Sequence, residues 1–136
     1  MKLRYLDATV FVFAALDEGS RGDKARELLR SIATEDDRAA TSSLTIDEVV
    51  WVLQGEGPRE VAVREGQRLL AFPNLEVFDV AATDVFDSLA MMEDHERLDP
   101  RDAIHASVAL NHGVHTVVSD DPDLDAVPDV ERRPLV

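Results

Sequence analysis

The chain has 136 residues, 45% of them apolar, which is enough for one compact domain with a sizeable core and excludes wholesale disorder. It has no cysteine, no apolar leader after Met1 and no run near the ~18 apolar residues of a membrane span. Disulfide and zinc–thiolate sites are therefore excluded, and we expect a soluble, cytoplasmic protein without a membrane partner. The 28 acidic residues outnumber the 14 basic ones, and the net charge of −14 argues against nonspecific coating of nucleic acid, though not against a small local patch. Because salt screens such self-repulsion, the charge favours a salt-adapted (halophilic) source over a merely acidic protein.

The hydrophobic pattern predicts strands and helices in alternation. In chain order it predicts a strand at 3–6, helices at 10–16 and 23–33, a strand at 39–42, a helix capped by Ser43 or Thr45 and broken at 55–58, a helix at 59–71, a strand at 75–80, helices at 85–95 and 101–112, a strand at 114–119 and an edge strand at 130–135. The β-branched run at 114–119 predicts a central strand. The helix containing Trp51 is apolar nearly all round, which indicates burial on two sides or an interface.

This alternation predicts the fold class. Parallel strands joined by helices give right-handed crossovers and a single-domain α/β/α sandwich with a mostly parallel central sheet over residues 1–136. Ligands of such sheets bind outside the carboxyl ends of the strands. Residues that follow the strands are therefore the candidates for a functional site.

Carboxylates occupy these positions. They are Asp7 after the first strand, Glu48 after the second, Asp102 in the first turn of its helix, and Asp121 and Asp123 after the strand at 114–119. Several carboxylates in one place need a cation to offset their charge, and oxygen ligands favour Mg²⁺ or Mn²⁺ over zinc. Such a cluster suits metal-activated water that attacks a phosphodiester.

Each carboxylate also has a purely structural interpretation. Asp102 complements a helix dipole, Asp121 and Asp123 flank a proline turn, and Glu48 forms a capping box with Thr45 or faces solvent. Asp7 is harder to explain in this way, because a carboxylate at the end of a buried strand is costly without a partner. The shared placement at strand ends favours function.

Four segments resemble, in order and spacing, the motifs of the PIN domain family. They are LDATVF at 6–11, TSSLTIDEV at 41–49, DAIHA at 102–106 and VSDDPDL at 118–124. Together they span essentially the whole chain, and its size resembles that of VapC-type toxin ribonucleases. Leu124 stands where the family often has an aromatic residue, Asp120 adds a charge, and Asp47 competes with Glu48 for the second position.

The resemblance implies a Mg²⁺-dependent endoribonuclease, with Mn²⁺ as the alternative ion. The acidic quartet would be Asp7, Glu48, Asp102 and Asp121. Asp7 and Asp102 would be the direct metal ligands, and Asp123 a supplementary carboxylate. Thr9 and Ser119 would orient their neighbours. The implied partners are an RNA substrate and an antitoxin protein that presents an arginine to the carboxylates.

Other residues leave alternatives open. His105, one turn after Asp102, faces the cleft or packs in the core, and Arg101 contacts a phosphate or forms an exposed ion pair. The apolar surface around Trp51 and Val52 predicts a homodimer.

The alternative function is a catalytically inactive PIN-fold binding module used in assembly, which an intact acidic set disfavours. A phosphatase with an aspartyl nucleophile usually has a second aspartate two residues after the first. Thr9 occupies that position in this chain.

Overall fold

The computed structural model describes residues 2–135, in which six α-helices surround a five-stranded sheet. The elements in chain order are β1 (Arg4–Leu6), α1 (Ala8–Leu16), α2 (Ser20–Ala33), β2 (Ala39–Ser42), α3 (Ser43–Glu56), α4 (Arg59–Leu70), β3 (Leu75–Phe78), α5 (Ala82–Asp94), α6 (Pro100–Asn111), β4 (Thr116–Val118), a 3-10 helix (Pro122–Ala126) and β5 (Glu131–Arg133). No helix within residues 2–135 combines the length and hydropathy needed to cross a bilayer.

The strands lie in the order β3-β2-β1-β4-β5, and every neighbouring pair is parallel. The sheet is thus wholly parallel. The predicted edge strand is confirmed as β5, and the prediction that the run at 114–119 forms a central strand is confirmed by β4, which lies between β1 and β5 and is fully buried. The β-branched composition of β4 reflects its burial between β1 and β5, which any interior strand of a parallel sheet shares.

Helices cover both faces of the sheet. Side chains alternate along each strand, so Tyr5 and Val117 pack on one face while Leu6 and Val118 pack on the other. Helices α1 to α4 build the core on the Leu6 face, and α6 with the 3-10 helix builds the core on the Tyr5 face. These layers confirm the predicted α/β/α sandwich.

The boundaries of α3 differ from those predicted. The helix continues through Gly55 and Glu56 and ends at Gly57, whose N–H still donates to the carbonyl of Leu53 at 3.1 Å. Glycine only weakens a helix, whereas Pro58 cannot supply the next N–H donor. The N-cap residue is Ser42, so the predicted caps at Ser43 and Thr45 are wrong.

The strand order creates a switch point between β1 and β4. From β1 the chain proceeds through β2 to β3 on one side, and then crosses back to β4 on the other side. The carboxyl ends of β1 and β4 therefore meet, and the N–H of Asp7 donates to the carbonyl of Val118 at 3.2 Å. Parallel sheets bind their ligands at such a switch point.

Candidate functional site

Asp7 lies at the carboxyl end of β1 and caps α1. Its carboxylate accepts hydrogen bonds from the backbone N–H of Thr9 at 3.0 Å and from the Thr9 hydroxyl. Only 4% of the residue is exposed, and this burial raises the pKa of the carboxyl, while hydrogen bonds from Ser119 and Thr9 partly oppose the rise. Thr9 thus contacts directly the carboxylate that it is predicted to orient.

Asp102 lies in the first turn of α6, where Asp99 is the N-cap and accepts from the N–H of Asp102 at 2.9 Å. The carboxyl is buried, and its Oδ2 has no hydrogen-bond partner within the described chain. Burial, and after it the neighbouring carboxyls of Asp121, Asp99 and Asp7, together raise its pKa to about 8. Asp102 therefore lies where burial and the neighbouring carboxyls disfavour its ionised form.

Asp121 follows β4 and caps the 3-10 helix. Its N–H donates to the hydroxyl of Ser119 at 3.0 Å, and its Oδ1 accepts from the N–H of Asp123 at 3.0 Å. This is the turn chemistry that the sequence allowed, and it also aims the Asp121 carboxyl toward Asp102. Of the five predicted carboxylates, Asp7 and Asp121 thus both raise the pKa of Asp102 at the switch point.

Asp120 and Asp123 lie outside that group. Asp120 makes an ion pair with Arg21 at 3.4 Å, and its Oδ1 accepts from the N–H of Leu135 at 3.0 Å, which ties α2 and the end of the chain together. Asp123 is half-buried and takes part through its backbone N–H alone. The structure therefore separates the fourth motif into one carboxylate at the site and two beside it.

Glu48 extends from α3 and meets His105 of α6, with 2.5 Å between Oε1 and Nε2. This contact excludes both structural interpretations of Glu48, since the side chain neither pairs with Thr45 nor faces solvent freely. His105 is almost fully buried, so it packs in the core and reaches the site carboxylate at the same time. The two alternatives left open for His105 are both realised.

A buried chain of hydrogen bonds continues behind His105. The hydroxyl of Tyr5 lies 2.7 Å from His105 Nδ1 and 2.7 Å from the hydroxyl of Ser42. A carboxylate only accepts, so Nε2 carries the hydrogen that Glu48 receives, and a neutral imidazole then accepts at Nδ1 from Tyr5. Burial raises the pKa of Tyr5, which keeps its phenol as the donor. These contacts hold the imidazole, and through it Glu48, in one orientation.

Tyr5 and Ser42 were missed by reasoning from the sequence. Each looked like an ordinary residue of a buried strand, and Tyr5 is 100 positions away from His105. The one available signal was His105 itself, placed one helical turn after Asp102. Its partners depend on how β1, β2 and α6 pack, which no local pattern reports.

The acidic group fits a divalent cation by its chemistry. Its donors are hard oxygens, the Oδ2 of Asp102 lacks a partner, and the raised pKa values of Asp7 and Asp102 show that their charges lack compensation. Within residues 2–135, no three histidine or acidic side chains are gathered closely enough to form a complete ligand set. The donor chemistry thus fits a divalent cation, whereas the described side chains do not form a complete set of ligands for one.

Comparison with solved structures finds similar folds in toxin–antitoxin systems. VapC20 of Mycobacterium tuberculosis, described as a toxin that cleaves the sarcin–ricin loop, is 19% identical with a TM-score of 0.79, over 96% of this chain and 99% of that chain. VapBC of Salmonella typhimurium bound to DNA is 18% identical with a TM-score of 0.77, over 100% of both chains. VapBC2 of Rickettsia felis, bound to a DNA fragment from its promoter, is 18% identical with a TM-score of 0.74, over 97% and 98%. At such identities the likeness concerns the fold.

Family assignment rests on the sequence as well. No curated protein is significantly similar to this chain. The PIN domain family model, however, matches residues 4–130, which include all four motifs. The chain belongs to the PIN domain family.

Proposed function

We propose that this protein is a Mg²⁺-dependent endoribonuclease, with Mn²⁺ as a possible substitute, and the toxin of a VapBC-type toxin–antitoxin pair. The observation that carries the proposal is the buried Asp102 with Asp121 and Asp7 beside it: burial first, and then these neighbouring carboxyls and Asp99, raise its pKa to about 8. Such an arrangement lowers the stability of the fold, and strongly shifted pKa values of this kind are typical of functional sites. A cation-dependent activity therefore explains why the carboxylates lie together. The toxin–antitoxin structures that share this fold support the second half of the proposal.

Each residue has a proposed role. Asp7 and Asp102 hold the metal ion directly, and Glu48 and Asp121 complete the acidic quartet. Thr9 and Ser119 orient the carboxylate of Asp7 by hydrogen bonding, while Asp123 supplies supplementary charge from beside the site. A bound Mg²⁺ ion supplies Lewis acidity and a water molecule of lowered pKa for phosphodiester hydrolysis.

The protein residues prepare the site for that chemistry. Hydrogen bonds to Thr9 favour the ionised form of Asp7, which a metal ligand requires. His105 donates to Oε1 of Glu48 and leaves Oε2 outside that contact. The proton that Asp102 retains near neutral pH in the absence of a cation has to leave before that carboxyl can act as a ligand.

Two protein partners are part of the proposal. An antitoxin segment would present an arginine to the carboxylates, since bidentate guanidinium–carboxylate pairing satisfies buried negative charge. The sequence predicts a homodimer from Trp51 and Val52, but α5 carries a second apolar surface in which Phe86 is 75% exposed, and a dimer formed there leaves Trp51 open. Sedimentation equilibrium tests the dimer, which a mass near 15 kDa at working concentration would exclude.

One observation favours the alternative, a PIN-fold module without catalytic activity that serves assembly. Residues 2–135 contain no complete three-ligand set for a metal. The intact quartet favours the enzyme, since loss of activity would have released at least one of these costly buried carboxylates from constraint.

Incubation of the purified protein with total RNA distinguishes the two. The assay is run at high KCl with Mg²⁺ or with EDTA, on wild type, Asp7→Asn and Asp102→Asn. The control is Asp94→Asn, which changes an exposed carboxyl at the end of α5. We expect cleavage by wild type and the control with Mg²⁺ alone. Cleavage by Asp102→Asn at the wild-type rate would contradict the assignment, and no cleavage by folded, Mg²⁺-loaded wild type would favour the assembly module.

A further inference from the structure

A second cleft adjoins the acidic site, between α1 and α3. This Trp51 cleft has a volume of about 300 Å³, and its lining includes Thr9, Phe13, Glu48, Trp51 and Arg101. It adjoins the acidic group, because Glu48 lines it and Thr9, which also lines it, is the hydrogen-bond partner of Asp7. Its size is at the lower end of small-molecule pockets, which run from about 300 to 1,000 Å³.

One wall of the cleft is an aromatic side chain that residues 2–135 leave mostly uncovered. The buried face of α3 consists of Ile46, Val49 and Leu53, and Trp51 lies away from that face with 67% of its surface exposed. It is the one tryptophan of the sequence. A large planar apolar group left in water beside a polar site is suited to stack against a planar ligand.

The cation at the cleft is Arg101. It precedes Asp102 at the start of α6, it is exposed, and it makes no ion pair within residues 2–135. In a chain of net charge −14 an arginine without an acidic partner next to a carboxylate cluster is available for a ligand anion. A guanidinium pairs with phosphate oxygens through two parallel hydrogen bonds.

We propose that the Trp51 cleft binds one unpaired nucleobase of RNA next to the phosphodiester that is cleaved. The base stacks on Trp51, and its phosphate pairs with Arg101. This inference rests on the proposed ribonuclease function and requires the base at Trp51 to be unpaired, because a base inside a duplex presents no free face. Stacking also suits an acidic protein. Because its net negative charge repels RNA over long distances, binding has to depend on short-range contacts that need no charge, such as stacking.

The experiment uses the fluorescence of Trp51, which reports this position alone. Folded Asp102→Asn protein, chosen because it should not cleave, is titrated in Mg²⁺ and KCl with a 12-nucleotide single-stranded RNA and with its duplex. We expect the single strand to quench the fluorescence and the duplex to leave it unchanged. By RNA anisotropy, Trp51→Ala should weaken binding about tenfold and Trp51→Phe should restore most of it. Arg101→Gln should lower the slope of log affinity against log salt by about 0.7.

The matched control is Leu70→Ala, which removes another exposed apolar side chain, from the end of α4 and outside the cleft. In the active protein, Trp51→Ala should raise KM for RNA cleavage and leave kcat unchanged, and Leu70→Ala should change neither. An equal rise of KM in the two variants would overturn the inference. Quenching of Trp51 fluorescence that increases with protein concentration in the absence of RNA would also overturn it, because a second copy of the chain would then occupy the cleft. Mg²⁺-dependent cleavage without quenching or a KM change would overturn the inference alone, whereas the absence of both cleavage and RNA binding would overturn the proposed function as well.

Discussion

Replacing Asp102 by asparagine should make the metal-free protein more stable while removing its activity. The amide keeps the shape of the buried carboxyl and cannot ionise. In the native protein the pKa of Asp102 is about 8 instead of 3.8, first because the group is buried and then because Asp121, Asp99 and Asp7 lie near. At neutral pH this carboxyl is ionised in the unfolded chain, whereas in the folded chain its ionisation is disfavoured.

The sign and size of the effect follow from linkage. A carboxyl whose pKa is raised by folding contributes its full stability below pH 4, and this contribution is lost as the pH rises from about 4 to about 8. Between pH 4 and 7 the pKa difference corresponds to about 4 kcal/mol, and solvent screening at this partly accessible group reduces it to about 2 kcal/mol. For a chain of this length, that is about 8 °C in Tm.

Thermal unfolding in EDTA at pH 4.5, 6, 7 and 8 measures the difference between wild type and Asp102→Asn. We expect almost none at pH 4.5 and the largest stabilisation by asparagine at pH 8. The control, Asp94→Asn, should show no such pH dependence, and Mg²⁺ should narrow the difference because a bound cation stabilises the wild-type carboxylates. A difference independent of pH, or a less stable asparagine variant at pH 8, would refute the reasoning.

Three further predictions concern the fold, the site and the surface. Gly22→Ala places a Cβ 1.8 Å from the carbonyl oxygen of Asp17 and should lower the free energy of unfolding, measured in urea, by about 2 kcal/mol. Gly55→Ala meets nothing within 4 Å and should raise the free energy of unfolding by about 0.5–1 kcal/mol. Equal effects of the two substitutions would contradict the packing at Gly22. His105→Ala should lower kcat at least about tenfold by releasing Glu48, with partial recovery in His105→Gln, which can still donate at the same place; an unchanged kcat would show that the contact is structural only. In a KCl series at fixed Mg²⁺, cleavage and Tm should both rise and peak well above ~0.15 M, and activity that falls steadily from low salt in a folded protein would reject the salt adaptation.

Strand ends were the part of the site that the sequence could locate. Asp7 and Asp121 follow apolar runs, and parallel strands bring their carboxyl ends to one edge, so their approach required only the strand assignment. Asp102 was found for a similar reason, since Pro100 marks the start of α6. The side-chain network was beyond such reasoning, because Tyr5 and His105 meet only when β1 and α6 pack on the same face of the sheet.

Asp121 and Asp123 show where motif reading reaches its limit. Both flank Pro122 and look equivalent in sequence, yet the cap geometry of the 3-10 helix turns the Asp121 carboxyl toward Asp102 and engages Asp123 through its N–H alone. Asp120, also adjacent, is drawn away by Arg21. One residue of register decides which carboxylate reaches the site, and that register depends on tertiary contacts.

The surface charge and the buried carboxylates both destabilise the fold by repulsion, but different ions reduce the two effects. Monovalent salt screens exposed charges that lie farther apart than about 8 Å at 0.15 M, so it acts on the excess spread over the surface. It acts little on Asp7 and Asp102, which are buried and close to each other. A divalent cation bound among them compensates charge that bulk salt does not reach. Dependence on KCl and dependence on Mg²⁺ should therefore separate experimentally: Asp102→Asn should lose the stabilisation by Mg²⁺ and keep the stabilisation by KCl, since thirteen of the fourteen excess negative charges remain.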